Sequence, residues 1–273
     1  MANASDQTPL KASDRTEAKK RSGPETLVLY QAIVLKGEHE LKRPAKSLFW
    51  SGLAAGIAIS SSLIAEGALF QHLPDAPWRD LITALGYSVG FVIVILGRLQ
   101  LFTEHTVVSL VPVVASPGLS NLDRLARLWG IVFITNELGA FVASLGFAKL
   151  GLTSPDLLNA MVDVSRPMLE KDFLSTLLQG IPAGFIIAAV AWMMVAAKTN
   201  HFWLIVLLTW VISAGGFTHV VASAAGAYLL ALTGNAPLWW PIYGFVIPAL
   251  IGNIIGGSGL FAMLTFAQIK EEI

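Results

Sequence analysis

With 273 residues, 55% of them hydrophobic and 13% charged, and a mean hydropathy of +0.66, the chain is too apolar for an ordinary water-soluble domain and reads as an integral membrane protein. Its 18 basic residues balance 18 acidic ones, so the net charge gives no reason to expect nucleic acid as a partner. Cysteine is absent, which excludes disulfides, thiolate catalysis and cysteine-ligated metal.

Residues 1–23 carry too few large apolar side chains to bury a core and are expected to be disordered. They also lack the apolar core and small-residue cleavage site of a secretory signal, so residues 1–45 are read as a cytoplasmic tail. Within it, residues 24–46 mix Leu27, Leu29, Ile33, Val34 and Leu41 with Glu38, His39, Glu40, Lys42 and Arg43, the composition of an amphipathic helix at the membrane surface. Glu38, His39 and Glu40 are metal-ligand types, yet charged neighbours on such a helix are ordinarily a solvated face. No metal and no other cofactor is assigned.

Residues 46–268 form the membrane domain, and residues 269–273 a short cytoplasmic C-terminus. Residues 47–70 make the first span, with Gly52, Ala55, Gly56 and Ser60 as a small-residue packing stripe. Residues 75–80 read as a short loop. The 38 residues 80–117 stay mostly apolar, too long for one straight crossing and too short for two, so a broken helix is expected. Residues 122–150 make the third span, with Asn121 and Asp123 as cap candidates. Residues 151–172 are polar and read as an external connection holding at most one amphipathic turn. Residues 173–197 make the fourth span, ending at Lys198. The 33 residues 201–233 are again excessive for one crossing, with Gly215 and Gly216 at the middle. Residues 238–266 make the last span, followed by Lys270, Glu271 and Glu272.

Lys42, Arg43, Lys46, Arg124, Arg127, Lys198 and Lys270 fall on one side of this topology, against Arg79, Arg166 and Lys171 on the other. That bias places both termini in the cytoplasm. The fold class is therefore all-α, with six transmembrane helices arranged as two inverted three-helix repeats whose second and fifth helices are broken. Phe102-Thr103-Glu104-His105 in the first break pairs by sequence with Phe217-Thr218-His219 in the second. Each third helix carries Asn-x-x-Gly, as Asn136 with Gly139 and Asn253 with Gly256. Paired discontinuous helices point to a transport site near the bilayer midplane.

Unpaired backbone cannot face lipid, so both breaks belong inside protein or along a water-accessible cavity. Half-helix N-termini there would offer free amides to a small anion. His219, just after a double glycine, is the candidate to donate a hydrogen bond to that anion or to exchange a proton with it. His105 is as readily a structural histidine held by Glu104 or Thr106. Glu66, Arg98, Glu104 and Glu137 lie in apolar spans or at the first break; each would cost about 2.5–3.5 kcal/mol at the centre of a lipid-facing helix. They are expected to face inward or an interface, with Arg98 paired to a carboxylate in a structural network. Phe102 and Phe217 are placed to gate a pore, although phenylalanine in a membrane core is ordinarily packing.

Taken together, Leu101-Phe102-Thr103 with His105-Thr106, Trp129-Gly130 followed by Asn136 and Gly139, Ala191-Trp192-Met193, Phe217-x-His219, and Gly252-Asn253-Ile254-Ile255-Gly256-Gly257 give a chain that resembles the formate/nitrite transporter family from residue 47 to residue 266. The resemblance implies a homopentamer of six-helix, aquaporin-like protomers in a lipid bilayer, here the bacterial inner (cytoplasmic) membrane. Each protomer would conduct a small monovalent anion of a weak acid, such as formate or nitrite. It implies that His219 is the central pore residue and Thr103 the threonine beside it. Three departures stand out: Thr218 and Ser223 replace a glutamate and an asparagine of the family's second break, Arg98-Leu99-Gln100 replaces Gly-Ala-Glu, and Glu104 replaces a small residue. Lys171 is an offset match to a family lysine.

The alternatives are a non-conducting membrane scaffold or sensor of the same fold, with Arg98 and Glu104 plugging the pore, and an intramembrane hydrolase built on Gly257-Ser258-Gly259. Against the second, the serine follows His219 in the chain, and the glycines suit close helix packing. The chain is not expected to be an enzyme.

Overall fold

The computed structural model describes residues 26–197 and 199–270; the expectations for residues 1–23, Pro24, Lys198, Glu271 and Glu272 fall outside them. Among the described residues every regular element is helical: α1 (Thr26–Leu41), α2 (Ala45–His72), α3 (Arg79–Leu96), α4 (Phe102–Ala115), α5 (Leu119–Lys149), α6 (Pro155–Ser165), α7 (Phe173–Ala196), α8 (His201–Ala214), α9 (Ala224–Leu232) and α10 (Pro241–Lys270). Helices α2, α3, α5, α7 and α10 are each long and apolar enough to cross a bilayer. The 14 residues of α8 reach only about 21 Å at 1.5 Å per residue, so α8 needs α9 to complete a crossing. Six passes result, with the second divided into α3 and α4 and the fifth into α8 and α9.

Two connections differ from expectation. Helix α5 starts at Leu119, after Gly118, and neither Asn121 nor Asp123 caps it; Asn121 Nδ2 donates instead to the Ser116 carbonyl at 2.9 Å. The segment 151–172 is more ordered than a single turn. Ser154 accepts the Leu157 amide at 3.3 Å with Pro155 in the first turn, which starts α6. Its buried face, Ala160, Met161 and Val162, packs on α2, where Gly67 leaves room for Met161. Asp172 then caps α7 by accepting the Ser175 amide at 2.7 Å, and the Ser175 hydroxyl together with that amide holds its carboxyl below the usual aspartate range.

The two halves are built around matching close crossings. A Cβ on Gly139 would lie 2.8 Å from the Gly56 Cα, and one on Gly184 would lie 2.6 Å from the Asn253 Cα. Only glycine admits the approach of α2 to α5 and of α7 to α10. That approach brings each third helix against the break of its own half.

Both breaks end their first half-helix in the same way. Gly97 and Leu99 donate to Ile93 and Val94, while Gly215 and Phe217 donate to Val211 and Ile212, all at 2.9 Å. The turn residue is left-handed in each, Arg98 at φ 54° and Gly216 at φ 65°. One asparagine then holds the exposed backbone of each break. Asn136 Nδ2 donates to the Gly52 and Gln100 carbonyls, both at 2.8 Å, and its Oδ1 accepts the Phe102 amide at 2.8 Å. Asn253 Nδ2 donates to Gly180 at 2.9 Å and to Thr218 at 2.8 Å, and its Oδ1 accepts the Val220 amide at 2.9 Å.

These clamps correct the internal alignment expected from sequence. Gln100 corresponds to Thr218 and Phe102 to Val220, so Leu101 is the counterpart of His219 and Val221 that of Thr103. Matching Phe-Thr with Phe-Thr is off by three residues, because the asparagine bonds and the left-handed turns set the register.

Asn253→Ala leaves one amide and two carbonyls without partners, at about 1–3 kcal/mol for each buried group; a loss of at least about 3 kcal/mol is expected in equilibrium unfolding in detergent. Arg98 occupies a backbone region that costs a side-chain-bearing residue about 1–2 kcal/mol. Part of that returns as glycine's greater entropy loss, so Arg98→Gly is expected to raise stability by up to about 1 kcal/mol. An unchanged or lowered melting temperature would show that the arginine side chain contributes as much as the turn costs.

Candidate functional site

The centre of the molecule is where the two breaks meet. His219 and Thr103 are both fully buried, and His219 Nε2 lies 2.8 Å from Thr103 Oγ1. The Ala222 amide donates to His219 Nδ1 at 3.0 Å. Since Nδ1 is an acceptor, the ring is neutral with its proton on Nε2, and Nε2–H donates to Thr103. Protonating Nδ1 requires giving up the Ala222 bond. The imidazole is packed edge-on against Phe91 of α3 at 5.0 Å between ring centres. Thr103 therefore accepts from His219, and no acceptor for its own hydroxyl proton lies within hydrogen-bond distance among the described residues. The site ends on a donor.

Three backbone amides at the breaks are taken up within the protein. Those of Phe102, Val220 and Ala222 are held by Asn136, Asn253 and His219. Among these groups the Thr103 hydroxyl is what remains for a guest.

A cavity of about 380 Å³ approaches this centre from the α6 side. It is lined by Glu66 and Phe70 of α2, Asp80, Thr83 and Tyr87 of α3, Asp163 of α6, Lys171, Ser213 of α8, and Phe217, Thr218 and Ser223 of the second break. Glu66 Oε1 accepts from Ser213 Oγ at 2.8 Å, and Tyr87 Oη shares a hydrogen bond with Ser223 Oγ at 3.0 Å. Lys171 Nζ donates to the Gly216 carbonyl at 2.5 Å, and partial burial holds its amine below the ordinary lysine range.

From the α1 side the approach is narrow. Leu101, Ile95 and Glu104 face Ile187, Val190, Ala191 and Met194 of α7. Lys36 of α1 lies 2.6 Å from Glu104 Oε1, which anchors α1 across α4. Arg127 of α5 donates to the Leu41 and Arg43 carbonyls, both at 3.0 Å, and so ties down the end of the same helix.

Several candidates from sequence are placed differently than expected. The ring of Phe102 packs edge-on against Trp129 and Phe133 of α5, at 5.6 and 5.1 Å, so it is part of the packing there, and Leu101 lines the narrow approach in its stead. Phe217 does line the α6-side cavity. His105 pairs with Gln100, Nε2 to Oε1 at 2.7 Å, rather than with Glu104 or Thr106. Thr106 donates to the Thr103 carbonyl at 2.7 Å. Thr218 donates to the Thr176 carbonyl at 2.6 Å.

The expected charge network does not form. Glu66 goes to Ser213, Glu104 to Lys36, and Glu137 accepts from Tyr228 at 2.8 Å. Arg98 is exposed and has no carboxylate partner among the described residues. The carboxylates sit on three different pairs of elements, and the left-handed turn at Arg98 keeps its guanidinium from all of them. Ser258 donates to the Thr106 carbonyl at 2.6 Å, so the hydrolase arrangement is absent. Glu38 and Glu40 pair with Lys42 and Arg43, and the described residues hold no cluster of three potential metal ligands.

The sequence profile of the formate/nitrite transporters matches residues 27–267. The inner membrane protein YfdC of Escherichia coli is 34% identical over 98% of this chain and 89% of its own length. The chain belongs to the formate/nitrite transporter family. The formate channel BtFdhC of Bacillus thuringiensis is 24% identical over 89% of this chain and 94% of its length. A solved structure, a pentameric formate channel with formate bound, superposes with a TM-score of 0.68 at 22% identity, over 83% of this chain and 98% of that one. Members of this family are channels and transporters rather than enzymes.

Some partners of the buried carboxylates escaped sequence reasoning. Tyr228 is one, and its only signal is a lone phenol in the apolar run after His219. Glu137 Oε1 is buried with no partner, so Tyr228→Phe leaves the carboxyl with none at all. A loss of about 1–3 kcal/mol is expected for that single change. The double variant Tyr228→Phe with Glu137→Leu is expected to recover most of it, since no polar group is then stranded; a double variant no more stable than the single one would contradict this account.

Proposed function

We propose that the chain moves a small monovalent anion of a weak acid, or its conjugate acid, across the membrane. Formate and nitrite are the first candidates. The observation that carries this reading is the 2.8 Å contact between Thr103 and His219, in which a neutral imidazole occupies the threonine oxygen and leaves the hydroxyl proton for an acceptor. A guest with an oxygen lone pair and little bulk suits one donor in an otherwise apolar passage. Phe91, Leu101 and Phe217 border that passage. The named activity of the formate channel relative and the bound formate of the structural neighbour support the same substrate class.

In this reading His219 acts as a neutral donor that orients Thr103. Assembly as a homopentamer with one passage per protomer is supported by the pentameric state of the structural neighbour. Location in a bacterial inner membrane is supported by the E. coli relative. A cytoplasmic position for both termini rests on the loop charges, with Arg127 joining Leu41 and Arg43 on one face and Lys171 and Arg166 on the other.

The non-conducting scaffold is favoured by one observation, the burial of His219 and Thr103 behind the Lys36–Glu104 pair. Proteoliposomes distinguish the two readings. Wild-type protein is expected to pass formate or nitrite well above empty liposomes. Thr103→Val, which keeps shape and removes the donor, is expected to cut flux at least about tenfold, the effect of about 1.4 kcal/mol on a barrier. His219→Phe is expected to do the same and, by stranding the Ala222 amide, to lower the melting temperature as well, so Thr103→Val is the deciding variant. Wild-type vesicles that match empty ones for a panel of small anions would establish the scaffold.

A further inference from the structure

The α6-side cavity is acidic for the mouth of an anion path. Glu66, Asp80 and Asp163 line it against Lys171 alone. Asp163 has a partner in Arg166 at 3.0 Å, and the Lys171 ammonium is engaged by the Gly216 carbonyl. Arg79, at the rim, stacks 3.6 Å over the Phe70 ring and donates to the Phe70 carbonyl. Glu66 is thus the deepest carboxyl of the cavity without a cationic partner. It shares the cavity wall with Thr218 and Ser223, the neighbours of His219 in the second break.

One oxygen of Glu66 is fixed by Ser213, and the half-buried residue lines the cavity. An ionised carboxylate there repels an incoming anion, whereas a protonated one offers it a hydrogen bond. Between Glu66 and His219 no other carboxyl lines the cavity among the described residues. His219 is held neutral with Nδ1 occupied by the Ala222 amide. The Thr218 hydroxyl is committed to the Thr176 carbonyl; Tyr87 and Ser223 share one hydrogen bond, and hydroxyls of this kind are too weakly acidic to protonate the anion of a weak acid.

We propose that Glu66, positioned by Ser213, is the proton-delivering residue of this mouth: it protonates the arriving anion, which enters the passage as its neutral conjugate acid. The O–H bond of the Glu66 carboxyl breaks as an O–H bond to the guest forms. The resulting carboxylate regains its proton from water at the open end of the cavity, so one proton travels with each anion and Glu66 is unchanged after a cycle. The titratable and hydrogen-bonding groups that share the cavity with Glu66 are Asp80 and Tyr87 on α3, Asp163 on α6, Lys171 before α7 and Ser213 on α8. α10 presents only Phe245 to the cavity. This inference rests on the transport reading above and deepens it.

The test uses full-length protein in proteoliposomes, with formate as the probe, an entrapped pH dye, and the pH of the α6-side solution stepped from 8 to 5. Wild type is expected to take up formate and protons together, faster as that side is acidified. Glu66→Gln keeps the shape and the Ser213 bond but has no transferable proton; it is expected to lose at least about tenfold in uptake and to show a flattened pH profile. Glu66→Asp is expected to restore the pH dependence in part. Ser213→Ala, which removes only the hydrogen bond, is expected to shift the pH midpoint while leaving the maximal rate within about twofold; it also decides the matter if Glu66→Gln does not fold. Wild-type pH profiles and proton co-movement in both Glu66→Gln and Ser213→Ala would overturn the inference. If that happens while Thr103→Val still abolishes flux, the transport reading stands without it.

Discussion

Backbone that leaves helical geometry inside a bilayer has no water to turn to, and the fold depends on how that constraint is met. Here it is met twice by one side chain. A carboxamide has two donors and two lone pairs, enough to bind one carbonyl of the break and one of the neighbouring helix and still accept the amide that restarts the chain. Asn136 and Asn253 do this with nearly superimposable geometry. Both are fully buried. The glycine crossings serve the same end, since they bring α2 or α7 close enough to contribute the second carbonyl.

Once the two clamps exist, the halves share a frame but not its contents. At the level of the clamps the second half presents His219 where the first presents Leu101, and the first presents Thr103 where the second presents Val221. A perfectly repeated chain would have two histidines or two leucines facing each other. The observed mixture puts one donor pair at the centre, with an apolar approach on the α1 side and a polar cavity on the α6 side. Arg98 shows the cost of the same divergence. It holds a left-handed turn that its counterpart Gly216 adopts freely, and the strain is tolerated because the clamp and the reach-back hydrogen bonds fix that backbone.

What the sequence made legible was whatever violated apolar periodicity. A stretch of 38 apolar residues cannot be one helix, so both breaks were visible, as were the Asn-x-x-Gly pairs and His219. The alignment of the breaks was less accessible. Identical Phe-Thr dipeptides suggested one register, and hydrogen bonds to residues more than 30 positions away set another. Helix α6 was missed for a similar reason: its prolines read as punctuation, although Ser154 and Pro155 are the residue types that start a helix. The partners of the buried carboxylates were not legible at all. Ser213, Lys36 and Tyr228 lie between 68 and 147 positions from Glu66, Glu104 and Glu137, and such spacings are meaningful only once the helices are packed.

The three carboxylates differ in what they can do. Each is held by a single group on another helix, and the three partners differ in kind: a hydroxyl, an ammonium and a phenol. Glu104 and Lys36 fix a surface helix over one end of the passage. Glu137 and Tyr228 join α5 to α9 away from the cavity that leads to His219, where no role beyond packing is needed. Only Glu66 combines a single neutral partner with access to a cavity on the way to the centre. The family resemblance leads one to expect a carboxyl beside the histidine, and this chain has Thr218 there, turned to a backbone carbonyl. With no acid at the break, the carboxyl of Glu66 on α2 lies farther out on the same mouth. There it meets the guest before the guest meets His219.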